Sequence, residues 1–315
     1  MVVGGERQLR ASAGKKQTMP ELPEVETVRC GLAPLMVGQR IARVEARRPN
    51  LRFPLPDQFN ARTAGQTVDS LERRAKYLIA RLSSGDALVM HLGMSGRFSI
   101  AQASAGVRRN ETLGAYIYDT GADPKHDHVV IHFDEGVRVV YNDPRRFGFM
   151  LLIPQAELAG HALFHKLGVE PLGGEMTADY LATRARGKAT NLKSLLMDQR
   201  VIAGLGNIYV SEALHRAQLS PNRKARSLAD RRGAPTERAL RLVPAIQSVL
   251  EQAIRAGGSS LRDYRQADGS TGTFQEAFAV YDRAGAACVR LGCGGTIQHA
   301  VHTGRSTYYC SRCQR

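Results

Sequence analysis

The sequence predicts an α+β chain in three parts: a β-sandwich or barrel led by one short helix, a helical segment, and a short cysteine-rich hairpin closed by a metal. Three observations carry this. Between Ile41 and Tyr141, short runs rich in β-branched residues are separated by Gly, Asp, Asn and Pro, the pattern of antiparallel strands joined by turns. Beyond Pro171, apolar residues recur every three to four positions, the period of a helix face. Four of the five cysteines fall after residue 287. With 315 residues, 43% hydrophobic and 23% charged, the chain is long enough for two cores and has the composition of a globular protein. The expected divisions are an extension over 1–18, a first domain over 19–155, a second over 156–284 and a finger over 285–315.

In chain order, residues 1–18 hold Arg7, Arg10, Lys15 and Lys16 among small residues and lack the apolar centre of a signal peptide; they are read as disordered. Met19-Pro-Glu-Leu-Pro-Glu-Val-Glu-Thr follows, and Val25, Val28, Leu32 and Leu35 set a helix from Glu24 to about Leu35. Strands are expected at Ile41–Val44, Lys76–Leu82, Ala87–Leu92, His128–Phe133 and Val137–Tyr141, with a long loop over 101–125. Helices are expected at Thr177–Arg186, Asn191–Met197, Ile208–Arg216 and Thr236–Ala256. Pro244 should kink the last of these or mark its first turn, because an interior proline removes a hydrogen bond. Cys30 reads as a small buried apolar residue.

A net charge of +15 points to a polyanionic partner, nucleic acid before anionic membrane. No apolar run is long enough for a membrane span. Clustered cysteines indicate a metal site in a reducing compartment rather than a disulfide framework.

Five features carry chemistry. In the tail, Cys288 and Cys293, then Cys310 and Cys313, form two short-spaced thiolate pairs that supply a closed tetrahedral site for one structural zinc. Pro20, if exposed as an N-terminus, offers a secondary amine with a pKa near ~8, nucleophilic at neutral pH; as an internal residue it is only a turn entering a helix. Asn142-Asp-Pro-Arg145-Arg-Phe147-Gly presents guanidinium groups and a ring from a strand end, suited to wedging into a stacked duplex, or else a turn whose ring joins the core. Gly204-Leu-Gly206-Asn207 opens a helix where Asn207 can cap the N-terminus and bind an anion. Lys76 leads into a strand, either as a solvated charge or as an acid near Pro20.

Together these segments closely resemble the bacterial formamidopyrimidine-DNA glycosylases. Pro20-Glu-Leu-Pro-Glu-Val-Glu-Thr, Arg74-Ala-Lys-Tyr-Leu, His91-Leu-Gly-Met-Ser-Gly, Lys125-His-Asp-His, Asp143-Pro-Arg-Arg-Phe-Gly, Gly206-Asn-Ile-Tyr and the cysteine finger occur in that family's order from residue 19 to the C-terminus. The resemblance implies a β-sandwich with a leading helix, a helix-two-turn-helix DNA-binding domain and a zinc-finger hairpin, with duplex DNA carrying an oxidised base or abasic site as partner. It implies Pro20 as nucleophile on C1′, Glu21 as proton donor or shuttle, Lys76 as acid in β-elimination, and Arg305 as a phosphate contact that assists δ-elimination. Met94, Arg145 and Phe147 match residues that fill the duplex; His126, Lys188, Lys193 and Asn207 match DNA-backbone contacts. The Gly/Ser-rich stretch from Ser259 to Phe274 matches an element that closes over the extruded base. One structural Zn2+, no redox cofactor, a cytoplasmic bacterial location and a monomer are expected. The first cysteine pair departs from the pattern, with four intervening residues rather than two. An endonuclease VIII-like enzyme for oxidised pyrimidines and a catalytically silent DNA-binding paralogue are the competing readings. For the amine to exist, translation must start at Met19, or processing must remove everything before Pro20.

Overall fold

The computed structural model describes residues 19–102, 123–259 and 272–315. The extension 1–18, most of the loop 101–125 and the body of the Ser259–Phe274 stretch, for which disorder, insertion and closure were expected, lie outside the described residues.

Helix α1 runs Leu22–Met36; Val25, Val28 and Leu32 of the expected stripe are buried, and Met36 rather than Leu35 completes the buried face. The sandwich beneath it has two four-stranded antiparallel sheets. One orders β1 (Ile41–Ala46), β6 (Asp127–Phe133), β7 (Val137–Asn142) and β5 (Arg97–Gln102); the other orders β2 (Val68–Arg74), β3 (Tyr77–Leu82), β4 (Asp86–His91) and β8 (Phe149–Pro154). A short helix α2, Phe59–Thr63, packs on β1. Leu78, Leu88 and Met90 of one sheet meet Val129, Ile131 and Val139 of the other, and α1 closes the same core. The outer face of the second sheet is covered too: Ile79, Val89 and Ile153 pack against Leu158 and Phe164. Burial on both faces explains why β3 and β4 read as nearly continuous apolar runs rather than alternating ones.

The helical part contains α3 (Ala178–Ala185), α4 (Leu192–Met197), α5 (Asn207–Arg216) and α6 (Glu237–Arg255). Pro244 lies well inside α6, not in its first turn. Both Pro244 and Leu240, whose carbonyl it leaves without a helical donor, are exposed, so water can satisfy that group. The hairpin β9 (Ile297–His302) and β10 (Arg305–Cys310) ends the chain. Its Ile297, Tyr308, Cys293 and Cys310 belong to the same apolar cluster as α3 to α6. The finger thus combines a metal site with a borrowed core.

Two ionic and hydrogen-bonded clamps join the parts. Glu170 accepts from Arg73 at 2.7 Å, from Arg74 at 2.8 Å and from the Ala75 N–H at 2.7 Å. Glu212 of α5 accepts three backbone N–H bonds, from Ala279, Val280 and Tyr281, and so fixes the segment that leads into the finger.

Candidate active site

The three parts meet at a cleft of about 860 Å³ whose lining includes Glu21, Lys76, Met94, Asn207 and Arg305. Met19 and His91 line it as well. Pro20 is buried at the entry to α1, and Glu21 is that helix's N-cap. The Leu22 N–H donates to Gly204 O at 3.3 Å, drawing the glycine turn against α1. A Cβ at residue 206 would lie 2.2 Å from the Glu21 carboxyl carbon. Glycine there is what lets the carboxylate reach the start of α5.

Glu21 Oε1 accepts the Ile208 N–H at 3.2 Å. Gly206, not Asn207, is the N-cap of α5, which corrects the expected capping role: the anion at this helix end is the protein's own Glu21, where the helix dipole favours it. Burial nevertheless dominates and raises the Glu21 pKa to about 7; the Lys76 charge opposes the rise and Glu24 reinforces it. Glu21 Oε2 and Asn207 Oδ1 are buried without hydrogen-bond partners among the described residues.

Glu24, one helical turn on, has the opposite environment. Its carboxylate accepts the Glu21 N–H at 2.9 Å, the Ser259 N–H and hydroxyl at 2.8 Å each, and the Tyr209 hydroxyl. This buried hub ties α1 to α5 and to the base of the Ser259–Phe274 stretch, which an isolated bridge from Ser259 to Thr273 closes.

Lys76 sits at the β2–β3 turn, which Ala75 forms with a φ of 53°. Burial pulls the Lys76 pKa below its ordinary value, Glu21 opposes that and Arg305 adds to it. Arg305 is exposed at the tip of the finger hairpin, beside the Thr303–Gly304 turn that also borders the cleft. Lys193, expected at a DNA-backbone contact, is instead 0% exposed: its ammonium donates to Ser306 O and Thr307 Oγ1, each at 2.7 Å. It anchors the hairpin to α4 rather than facing solvent, and burial lowers its pKa to about 8. Asn207 is 9% exposed on the cleft wall, His126 is half-buried at the start of β6, and Lys188 is exposed between α3 and α4.

The Asn142–Gly148 turn is built on Asp143, which is fully buried and accepts from Ser95 Oγ at 2.6 Å, Tyr141 OH at 3.2 Å and the Gly148 N–H at 2.9 Å. With the turn so held, Arg145 lies over the Phe147 ring at 4.6 Å and Phe147 remains 42% exposed rather than joining the core. Gly93, between β4 and β5, packs so closely on the Phe147 backbone that a Cβ there would lie 2.3 Å from it, which sets the Met94 loop directly against this turn.

Sequence reasoning missed the Glu24 hub, Tyr281 and the Glu170 clamp. The signal for His91 was present in the His-Leu-Gly-Met run: its Nδ1 accepts the Gly93 N–H at 3.0 Å, its ring stacks on Phe149 at 5.2 Å, and burial holds its pKa near 4, so it is a neutral wall of the cleft.

The four finger thiols lie within 4.8 Å of one another, with Cys293 and Cys310 sulfurs 3.6 Å apart and Cys288 and Cys313 3.9 Å apart. Tetrahedral zinc with Zn–S bonds of ~2.3 Å separates its sulfurs by ~3.8 Å, so the set fits one structural zinc despite the longer first knuckle. His215 Nε2, 3.3 Å from Cys288 Sγ, supports the site from α5. Cys30 is exposed, not buried as expected: its position on α1 turns away from the sandwich, beside Arg29 and Glu26.

Three family models match the chain: the formamidopyrimidine-DNA glycosylase N-terminal domain over residues 19–150, its H2TH domain over 167–265, and the zinc finger found in FPG and IleRS over 285–315. Formamidopyrimidine-DNA glycosylase of Beijerinckia indica is 58% identical over 297 residues, covering 94% of this chain and 100% of that protein. That of Methylocella silvestris is 56% identical over 300 residues, with the same coverages. Among solved structures, Lactococcus lactis Fpg in complex with an abasic-site DNA has a TM-score of 0.77 at 33% identity, covering 94% of this chain and 100% of that one. The MutM (Fpg) protein of Thermus thermophilus has a TM-score of 0.75 at 37% identity, covering 94% and 98%. The chain belongs to the formamidopyrimidine-DNA glycosylase family.

Proposed function

We propose that this chain is a base-excision repair glycosylase that removes oxidised purines from duplex DNA and then cuts the strand as an abasic-site lyase, using the Pro20 amine as nucleophile. The observation that supports it best is the single cleft that gathers Glu21, Lys76 and Arg305 from three parts of the chain. A duplex hides C1′, so the nucleotide must first be extruded, at a cost of a few kcal/mol. The exposed Phe147, the stacked Arg145 and the adjoining Met94 loop offer the wedge that offsets it.

The Pro20 nitrogen bonds to C1′ as the C1′–N bond to the base breaks; the electron pair leaves with the base, which gains a proton, and the nitrogen gives up its own N–H proton. O4′ then parts from C1′ and takes a proton from Glu21, leaving an open-chain iminium; with a pKa of about 7 this carboxyl is partly protonated at neutral pH. The iminium acidifies C2′. Loss of that proton expels the 3′ phosphate, with the desolvated Lys76 as acid, and a second elimination expels the 5′ phosphate beside Arg305. Water then frees the amine.

With Met19 bonded to it, the Pro20 nitrogen is a tertiary amide and no nucleophile, so the proposal requires a form that begins at Pro20. Borohydride trapping on a duplex containing 8-oxoguanine tests it. Protein starting at Pro20 should give a covalent adduct, Pro20→Gly much less, and protein retaining residues 1–19 little. Robust trapping by the full 315-residue chain would overturn the assignment of the amine. A solved Lactococcus lactis complex holds DNA with an oxidised pyrimidine, so thymine-glycol duplexes belong in the same assay; preference for them would favour the endonuclease VIII-like reading.

A further inference from the structure

The segment Arg223–Arg241, on the helical part but outside the cleft, carries Arg223, Lys224, Arg226, Arg231, Arg232, Arg238 and Arg241 against only Asp230 and Glu237. Several surface arginines elsewhere are matched: Arg40 with Asp134, Arg62 with Asp86, Arg81 with Glu72, Arg200 with Asp198. Six of the seven cations form no ion pair among the described residues, and Arg223 Nε donates to the Arg315 main-chain oxygen at 3.1 Å. Asp230 is occupied by its own turn, where Oδ1 accepts the Ala234 N–H at 2.9 Å. Glu237 stands in the first turn of α6, where a helix dipole holds a carboxylate. Arg238 lies close enough to Arg223 to depress its pKa, after burial. Such crowding costs free energy unless an anion relieves it.

The cations are also arranged. Arg223, Lys224, Arg226 and Arg315 line a shallow groove of about 740 Å³, floored by Ser220, Asn222 and Ser311. The basic segment is bonded to the strip that leads toward the central cleft. The Leu192 N–H donates to Arg223 O at 2.7 Å, the Ala225 N–H to Thr190 O at 2.8 Å, and the Arg226 N–H to Lys188 O at 3.1 Å. This zips the basic segment onto the Lys188–Leu192 strip, whose next turn, Ser194, borders the central cleft. On the other side, the Arg186 guanidinium lies over Gly233, next to Arg231 and Arg232.

We infer that this groove is a second phosphate-binding track, which takes the backbone of duplex DNA beyond the segment held in the lesion cleft. Its ligand is the regular spacing of phosphates, not a base, so it adds affinity and search along undamaged DNA without adding lesion specificity. The inference rests on the chain acting on duplex DNA, and the first arm of the test checks that separately.

The test uses protein beginning at Pro20, with Lys224→Gln, Arg226→Gln and Arg231→Gln combined; all three side chains are exposed, and a thermal melt confirms an unchanged fold. On a duplex of about one helical turn centred on 8-oxoguanine, single-turnover excision by the variant should equal that of the parent; no excision by the parent would sink the functional reading itself. On a duplex of about three turns, the parent's log K against log salt should be steeper than on the short one, and the variant should lose about two to three units of that slope. Equal slopes for variant and parent on the long duplex would overturn the track. So would a variant that keeps the DNA slope but loses binding to phosphatidylglycerol vesicles, since the groove would then serve a membrane surface.

Discussion

Glu21 and Glu24 stand one helical turn apart on α1, both buried, and the regions around them are built on opposite rules. Around Glu24 every group is answered: two residues of the helical part and one backbone N–H of α1 donate to it, and the neighbouring clamps on Glu170 and Glu212 follow the same pattern. Around Glu21 the pairing is left incomplete, with one carboxylate oxygen and the Asn207 oxygen unpaired among the described residues and a lysine held below its ordinary pKa. Satisfied buried polar groups make the junction between domains rigid. The unsatisfied ones beside them face the cleft, where a substrate's sugar and phosphates can complete them. The fold thus places its rigid contacts one turn behind the proposed reactive ones.

The largest effect should come from Glu21→Gln. Removing the proposed proton donor should slow excision by a factor of roughly 10² to 10⁴, and the alkaline limb of the single-turnover pH profile, near pH 7 in the parent, should disappear. Stability should move the other way. A carboxyl whose folded pKa is raised from 4.5 to about 7 binds its proton more tightly in the folded state, so its contribution is full below pH 4.5 and is lost as pH rises toward 7. At pH 8 the variant, which carries no charge there, should melt higher than the parent. The upper bound is roughly 3 kcal/mol, because Lys76 also loses an anionic neighbour. A variant that melts lower at pH 8 would show that Glu21 belongs with the satisfied group.

How much of this was legible follows the same division. The helix stripe of α1, the Glu21 position, the cysteine spacing and the β3, β4, β6 and β7 runs are local patterns, and the structure places elements there. The strands β2, β5 and β8 were not expected: Val-Asp-Ser-Leu-Glu-Arg-Arg is mostly polar, and pairing with β3 rather than propensity makes it a strand. Lys193 misled because its partners Ser306 and Thr307 lie more than a hundred residues on, and in a basic sequence one buried lysine looks like any other. The Glu24 hub was hidden for a similar reason, since Tyr209 of α5 and Ser259 beyond α6 are ordinary residues until the fold brings them to the start of α1.

Next in size is Glu24→Ala. It leaves the Ser259 and Glu21 N–H groups and the Tyr209 hydroxyl without their acceptor in a dry junction, and a loss of about 3 to 4 kcal/mol in urea unfolding is expected. Excision should fall only as far as Glu21 is displaced. Glu170→Ala should cost less, roughly 2 kcal/mol, since its side chain is 25% exposed and water can reach Arg73 and Arg74. If Glu170→Ala proved the costlier of the two, the junction would be held from the linker side and not from the hub.

The smallest stability effect, and the sharpest separation of the two kinds of region, belongs to Phe147→Ala. The ring is 42% exposed and its main contact is the Arg145 guanidinium at 4.6 Å, while the turn beneath it hangs on Asp143, which the substitution does not touch. Unfolding free energy should therefore stay within about 0.5 kcal/mol of the parent, the range for surface positions. Excision of a base from an intact duplex should nevertheless drop, because the proposed wedge that offsets unstacking is gone. Excision from a duplex with an unpaired bubble around the lesion, where unstacking is already complete, should be restored toward the parent rate. A ring that acts only as packing would give the reverse pattern: a clear loss of stability and equal losses on both substrates.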